Sequence, residues 1–329
     1  MGTHPAIVSV LIPVFNSGKY INKALLSVTS QTYSDIEIII VDDCSTDSSW
    51  SLVNDFFVQH PNFCHKIIKN DKNEGVSFTR NRLVGNASGE FICFLDSDDY
   101  FEPDAIEYLM GIIAKNKTSI GQCLYYSEEL SGERSGNTNN FYTNNILQGK
   151  DAVFSMLDNE ITGFLWHKIF KRELFKTVRF NADLSVFEDY LVIMTLFIQG
   201  ASISFGNEAK YHYVQHPASL TKQSYQKALN RLTYLEITKY LVAPLVTSEA
   251  DKLRLIRHEY IVILMVFINA IKSGAAAKDV VNLRAHIVIK YLFRLKNQLS
   301  VKRFCSILAI RISPSLLYYF LKSAFLIKP

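Results

Sequence analysis

Over roughly the first 115 residues, continuous apolar runs alternate with segments whose apolar residues recur every three to four positions. "IVSVLIPVF" is a β-branched run stopped by Asn16 and Gly18, and it predicts a strand. "YINKALLSVTSQ" has helical spacing at Ile21, Leu25 and Val28. "IEIIIVDD" predicts a buried strand. "STDSSWSLVNDFFVQH" predicts a helix with Ser45 or Thr46 as its N-cap. "HKIIKN" reads as a short strand, "VSFTRNRLVGNA" as a helix ended near Gly89, and "EFICFLD" as a third buried strand. "PDAIEYLMGIIAKN" reads as a helix with Pro103 in its first turn. Alternation of this kind implies a mainly parallel sheet with ligands at the carboxyl ends of its strands.

The pattern then changes. "SEELSGERSGNTNNFYTNN" is polar and without period, as a loop or hairpin would be. "TGFLWHKIFKRELF" and "FEDYLVIMTLFIQG" resume structure, the second as a helix, and "AKYHYVQHPASLT" reads as a strand and turn. From about residue 224 the pattern is helical: a first segment, then 249–272, 278–296 and two shorter pieces divided by Pro314. This divides the chain into 1–222 and a helical region, 223–329. Charge divides it too. No acid follows Asp279, whereas that tail holds nine Lys or Arg.

Length and composition add bounds. A chain of 329 residues that is 48% hydrophobic buries a large core and is not disordered. A net charge of +4 does not imply nucleic-acid binding. The five cysteines form no CxxC pair, so a zinc site or disulfide framework is not expected, and a reducing compartment is. The N-terminus lacks the pattern of a signal peptide. The longest apolar run, "YIVILMVFI", falls well short of the ~20 residues that span a bilayer.

The candidate chemistry lies in "FICFLDSDDYFEPD". Asp96, Asp98 and Asp99 crowd the end of a buried strand, where like charges repel. They either face water in a turn or hold something positive. An EF-hand is excluded because Phe101 stands where its loop needs Gly. "PVFNSGKY" lacks the glycines of a dinucleotide site, and neither a Walker A nor a G-x-S-x-G motif occurs. A divalent cation bridging carboxylates to substrate phosphates remains, since Mg2+ and Mn2+ take hard oxygen ligands.

The strings "VSVLIPVFNSGKYINKALLSVTSQTYSDIEIIIVDDCSTDSS" and "NEGVSFTRNRLVGNASGEFICFLDSDDYFEPDAI" resemble the nucleotide-sugar-binding half of glycosyltransferase family 2. The resemblance is strong over residues 7 to about 115. It continues more weakly through "LWHKIFKRELF", "FEDY" and "YHYVQHPASLT" to about 222. It implies a GT-A fold, a Rossmann-like, mostly parallel sheet flanked by helices. It also implies inverting transfer from a nucleotide sugar, as in bacterial surface-polysaccharide enzymes. By this resemblance Pro13 and Phe15 border the base. Asp43, with Asp42 beside it, accepts a hydrogen bond from the base, the family's signature for uracil. Arg80 contacts the nucleotide or its phosphates. Asp96, Ser97 and Asp98 form the D-x-D, with Asp98 on Mn2+ or Mg2+ and Asp96 near the ribose or sugar. Asp99 holds the loop or touches the donor sugar. Asp189 is the expected base and Glu188 its alternative, although both also suit a helix N-terminus. A histidine completes the metal shell in many relatives, and His216 fits that pattern better than His212.

Some residues read otherwise. Trp166, Tyr211 and Tyr213 suit packing or an acceptor platform. The role of His167 is open. Lys168 reads as a solvated lysine, with phosphate contact as the alternative. The tail's mixture of Leu, Ile, Phe and Tyr with Lys and Arg suits an anionic membrane surface near a lipid-linked glycan acceptor, at the cytoplasmic face. A helical subdomain that only packs is the plainer reading of the tail. For the whole chain, the competing reading is a non-catalytic nucleotide- or sugar-binding module of the same fold.

Overall fold

The computed structural model describes residues 7–129, 134–137, 146–182, 184, 187–215, 225–273, 281–315 and 317–318. The described chain opens with β1 (Val8–Val14), α1 (Ile21–Thr29), β2 (Ile36–Asp42), α2 (Ser49–Gln59), β3 (Cys64–Lys69) and α3 (Val76–Asn86). Then come β4 (Phe91–Phe94), β5 (Tyr100–Phe101), α4 (Ala105–Asn116), β6 (Ile120–Glu129), β7 (Arg134–Asn137) and β8 (Ile146–Gln148). After α5 (Gly149–Leu157) follow β9 (Lys168–Lys171), α6 (Glu188–Ile198) and β10 (Ser202–Gln215). The strands form one sheet in the order β3-β2-β1-β4-β9-β6-β10-β5, with β7 beside β6 and β8 beside β10.

The β1–β4 part is parallel, as the alternation predicts. β9 enters antiparallel between β4 and β6, which makes the sheet mixed. Register brings three strand ends to one edge. Val14 lies opposite Asp42, and Leu11 lies opposite Phe94. Three further bonds extend the ladder past the strands, from Asp43 N–H to Val14, Leu95 N–H to Leu11 and Asn70 N–H to Asp42. The apolar runs are the core itself: Val8, Val10, Ile12, Ile38, Ile40 and Cys93 are buried, with Ile21, Leu25 and Val28 of α1 packed over them. Full burial of each such Ile, Leu or Val contributes roughly 1.5–3 kcal/mol.

The chain divides into two compact units, residues 1–153 with 162–217, and residues 154–161 with 218–329. The second unit holds α7 (Tyr225–Val242), α8 (Glu249–Lys272), α9 (Ile289–Arg294) and α10 (Val301–Ile312). Ser248 and Asp251 close a capping box at the start of α8. The run "YIVILMVFI" lies within α8, where most of its residues are buried in this unit. No helix among the described residues is long and apolar enough to cross a membrane.

Three boundaries differ from expectation. α2 begins at Ser49, because Ser45 and Thr46 bond to Asn16 instead of capping it, while Asp47 accepts from both the Gly18 and the Ser49 N–H. Pro103 stands just before Asp104, the N-cap of α4, and so outside the helix. Within the described part of 278–296, Val288 is extended and separates a 3₁₀ turn (Val281–His286) from α9.

Candidate active site

Backbone strain gathers where the strands end. Among the described residues, five non-glycine residues have positive φ, and three of them flank this edge. Asn16 follows Phe15, Cys44 follows Asp43, and Phe187 precedes Glu188. A left-handed phenylalanine is a true outlier, and strain of about 1–3 kcal/mol persists only where surrounding bonds enforce it. At Asn16 such bonds are present. Asn16 N–H donates to Ser45 Oγ at 3.0 Å, and Thr46 N–H donates to Asn16 Oδ1 at 2.9 Å. The Ser17 and Ser97 hydroxyls meet at 2.6 Å and tie the end of β1 to the segment after β4. Phe15 stays 46% exposed above them, and Pro13 is half-buried.

Asp43 organises the neighbouring loop. Its Oδ1 accepts from Asn70 Nδ2 at 2.7 Å and Glu74 N–H at 2.9 Å, and its Oδ2 accepts from Gly75 N–H at 2.8 Å. Gly75 has φ +89°, which glycine adopts without strain, and it caps α3. Asp42 accepts from Ser45 N–H through Oδ2, while its buried Oδ1 has no partner among the described residues.

α3 carries Arg80 inward, where it is only 7% exposed. Nη1 donates to Glu188 Oε1 at 2.5 Å, and Nη2 reaches Asp96 Oδ1 at 3.4 Å. One guanidinium thus joins the first turn of α6 to the D-x-D segment. Asp189 lies in the same field and makes no salt bridge among the described residues. Its Oδ1 accepts from Tyr190 N–H at 2.7 Å, and its Oδ2 makes no hydrogen bond among the described residues. Desolvation, then the charge of Glu188, pushes its carboxyl up to about 7, against the pull of Arg80. The two adjacent acids are therefore unequal: Glu188 is the counterion, and Asp189 is poised to exchange a proton near neutrality.

The D-x-D segment has its own division. Burial and the charges of Asp98 and Asp96 push Asp99 well above the usual carboxylate range. Asp99 faces inward, accepting from the Tyr211 hydroxyl at 2.7 Å and Val214 N–H at 2.8 Å. It pins β10 and holds the loop. Asp96 is also raised, first by desolvation and then by Asp98, with Arg80 opposing. Asp98 remains half-buried. Hard oxygens in mutual repulsion fit a divalent cation, which would relieve that repulsion.

The histidines separate. His216 lies outside the described residues. His212 is 1% exposed, with Nε2 at 2.7 Å from Glu102 and Nδ1 at 3.1 Å from Glu128. Both ring nitrogens face carboxylates, so His212 offers neither to a metal at Asp98. Lys168 is not solvated. It is fully buried, and its Nζ donates to the carbonyls of Thr162 at 3.0 Å and Phe164 at 2.6 Å. It also meets Thr162 Oγ1 and His167 Nε2. Burial holds the Lys168 ammonium well below its ordinary range, while Asp189 draws it back up. Asn70, Gly75 and Ser17 carry no sequence signal of their own, since each works through a loop that only the fold assembles. In the second unit, Glu236, Glu259 and His286 bring ligand atoms within 4.8 Å of one another and could hold a divalent cation. The Lys239 ammonium already lies 3.4 and 3.0 Å from the two carboxylates.

A raised acid has a defined sign for stability. Between its unfolded pKa near ~4 and about 7, folded Asp189 binds more proton than the unfolded chain, so it weakens folding as pH rises across that window. In metal-free protein, Asp189→Asn should match the wild-type melting temperature near pH 4 and exceed it increasingly up to pH 7. A difference that stays constant from pH 4 to 7.5 would show that this carboxyl is unperturbed.

Comparison with known proteins bears on the family and the fold. The sequence profile of glycosyl transferase family 2 matches residues 9–179. The putative glycosyltransferase EpsH of Bacillus subtilis is 30% identical over 226 residues, covering 68% of this chain and 64% of that protein. The minor teichoic acid biosynthesis protein GgaB of the same organism is 27% identical over 236 residues, covering 70% of this chain and 25% of GgaB. The chain thus spans less than two thirds of these relatives. Staphylococcus aureus TarS 1–349, solved in complex with UDP, superposes with a TM-score of 0.70 at 19% identity, over 97% of this chain and 91% of that one. That likeness carries the GT-A-like fold with its helical C-terminal region. Half the chain matches the profile and EpsH follows it across two thirds, so this protein belongs to glycosyl transferase family 2.

Proposed function

We propose that this protein transfers a sugar from a UDP-sugar to a hydroxyl of a glycan acceptor, with inversion, in the synthesis of a surface polysaccharide. The observation that carries this is the unequal pair at the start of α6, with Glu188 neutralised by Arg80 and Asp189 raised to about 7. In this reading residues 1–222 bind donor and perform transfer. Phe15 and Pro13 border the base. Asp43 accepts three hydrogen bonds, and a carboxylate has about four lone-pair sites, so one is left for a base N–H. UDP in the TarS complex supports that choice of nucleotide. Arg80 balances Asp96 against Glu188, and a donor phosphate would compete with them for its guanidinium.

The transfer is one displacement. The acceptor hydroxyl oxygen bonds to the anomeric carbon as the bond from that carbon to the diphosphate oxygen breaks. The acceptor proton passes to Asp189 Oδ2, and the electron pair leaves with the nucleoside diphosphate. Asp98, with Asp96 beside it and His216 as a further ligand, would hold Mn2+ or Mg2+, which when bound neutralises charge on the departing diphosphate. Ser97 fixes the loop through Ser17.

The second unit suits a membrane-proximal acceptor. Ile289 and Phe293 of α9 lie one turn apart and are 41% and 53% exposed. Val301 and Ile312 of α10 are also exposed, at 80% and 67%. Lys290, Lys296, Lys302 and Arg303 are exposed beside them, and no acid follows Asp279. Apolar and basic groups together favour an anionic lipid surface, each nearby cation adding ~1 kcal/mol. In this reading the enzyme works peripherally at the cytoplasmic face, on a lipid-linked glycan.

Asp189→Asn should lower transfer about 10²–10⁴-fold while UDP affinity stays within a few-fold. Glu188→Gln should disturb Arg80 and donor affinity as well. A variant Asp189→Asn that keeps a tenth of wild-type turnover removes the base assignment. Calorimetry should find UDP binding strengthened by Mn2+, and Asp98→Ala should abolish that gain; equal affinity with and without metal would sink the cation reading. Full-length protein should float with anionic vesicles at low salt and detach at high salt, and should not float with neutral ones. Absence of flotation with anionic vesicles at low salt leaves α9 and α10 as packing helices.

A further inference from the structure

Exposed single hydrophobic residues are common and need no explanation. Phe164 differs in how firmly it is held. It lies in the loop before β9 and is 41% exposed. One face of its ring stacks on Trp166, with centroids 4.9 Å apart and planes 15° from parallel. Trp166 is itself 5% exposed and stacks on Tyr211 at 4.6 Å and Tyr213 at 5.5 Å, with Tyr125 edge-on. The Tyr211 hydroxyl in turn donates to Asp99. A continuous aromatic stack therefore backs one open ring and ends on the D-x-D segment.

The loop is also fastened from below. Fully buried Lys168 donates to the carbonyls of both Thr162 and Phe164, which fixes the backbone on either side of Gly163. Burying an ammonium is costly unless it is fully hydrogen-bonded, and here all that bonding serves one loop. Gly163 packs against Tyr190, whose Cβ and Cγ would lie 2.8 Å from any added Cβ. Tyr190 follows Asp189 directly, and its N–H holds the Asp189 carboxylate. Phe164 is thus anchored to the residue that orients the proposed base.

We infer that Phe164, backed by Trp166, is the stacking platform for the sugar ring of the acceptor. A pyranose presents an apolar C–H face that an open aromatic ring covers, while its hydroxyls stay available to polar groups. Rigid aromatic rings provide such contact at little entropic cost. The platform is assigned to the acceptor because its loop packs on Tyr190 beside the proposed base, whereas its link to the D-x-D segment runs only through the buried Trp166 and Tyr211. This inference rests on the transfer reading above, and it adds a binding residue that the family motifs do not mark.

The test is saturation-transfer NMR on full-length protein with UDP and Mn2+, using methyl glucoside, methyl galactoside and methyl N-acetylglucosaminide as probes. At least one probe should receive saturation at its ring C–H protons from wild-type protein. Phe164→Ala should weaken that probe's affinity about tenfold, and Phe164→Tyr should keep it within about twofold. UDP affinity, measured by calorimetry on the same samples, should be unchanged in both variants. Unaltered probe binding in Phe164→Ala, loss of UDP binding in that variant, or no saturation of any probe by wild type would each overturn the platform. Failure of wild-type protein to bind UDP would instead overturn the donor reading, which separates the two.

Discussion

Three carboxylates, Asp96, Glu188 and Asp189, meet one buried guanidinium, and the site depends on how that single positive charge is shared. Arg80 sits 2.5 Å from Glu188 and 3.4 Å from Asp96, so its charge goes first to Glu188. A buried pair of this kind is weak evidence for stability, because desolvation offsets much of the attraction. Its effect here is positional. It joins α3, the segment after β4 and the start of α6, which lie more than 100 residues apart in sequence between Arg80 and Glu188. Asp189 receives less of that charge, and burial first, then the neighbouring Glu188, push its carboxyl up to about 7.

The same reasoning sorts the other acids by burial and partner. Asp43 and Asp99 are buried and held by hydrogen bonds to neighbouring loops and strands, so they shape the crevice. Asp96 is part-neutralised, and Asp98 stays at the half-buried rim. A solvated turn would show none of this gradation. The left-handed Asn16, Cys44 and Phe187 belong to the same account, since each turns the chain sharply beside a functional carboxylate.

Much of this was legible in the sequence, for identifiable reasons. Continuous Ile and Val runs announce buried parallel strands, and acids placed after them announce a crevice, because a short-range pattern decides both. The mixed character of the sheet was not legible. β9 is only Lys168–Lys171, too short for a period, and its direction is set by the path of the chain after α5. Lys168 was misjudged because a lysine's solvation depends on carbonyls that the fold brings to it. His212 could be read as a metal ligand until Glu102 and Glu128 were found on its two nitrogens. The helix expected over 278–296 failed in its described part at Val288, whose N–H and carbonyl both bond the Tyr260 hydroxyl. No local signal encodes that bond.

The second unit shows buried charge arranged in pairs. Asp158 is held by Arg254 and Arg257, each at 2.5 Å. Glu259 lies 3.0 Å from Lys239, and Asp251 caps the start of α8. His258 is shared between the Tyr234 hydroxyl and the Leu157 carbonyl. Each of these acids faces a cation or a hydrogen-bond donor, as burial of a charge requires. The strand-end crevice differs in its charge balance, gathering Asp96, Glu188 and Asp189 around the single guanidinium of Arg80. Folding alone does not favour such an imbalance, and a cationic or proton-donating ligand would relieve it. That contrast in charge balance, more than any single motif residue, separates the strand-end edge of the sheet from the buried ion pairs of the second unit.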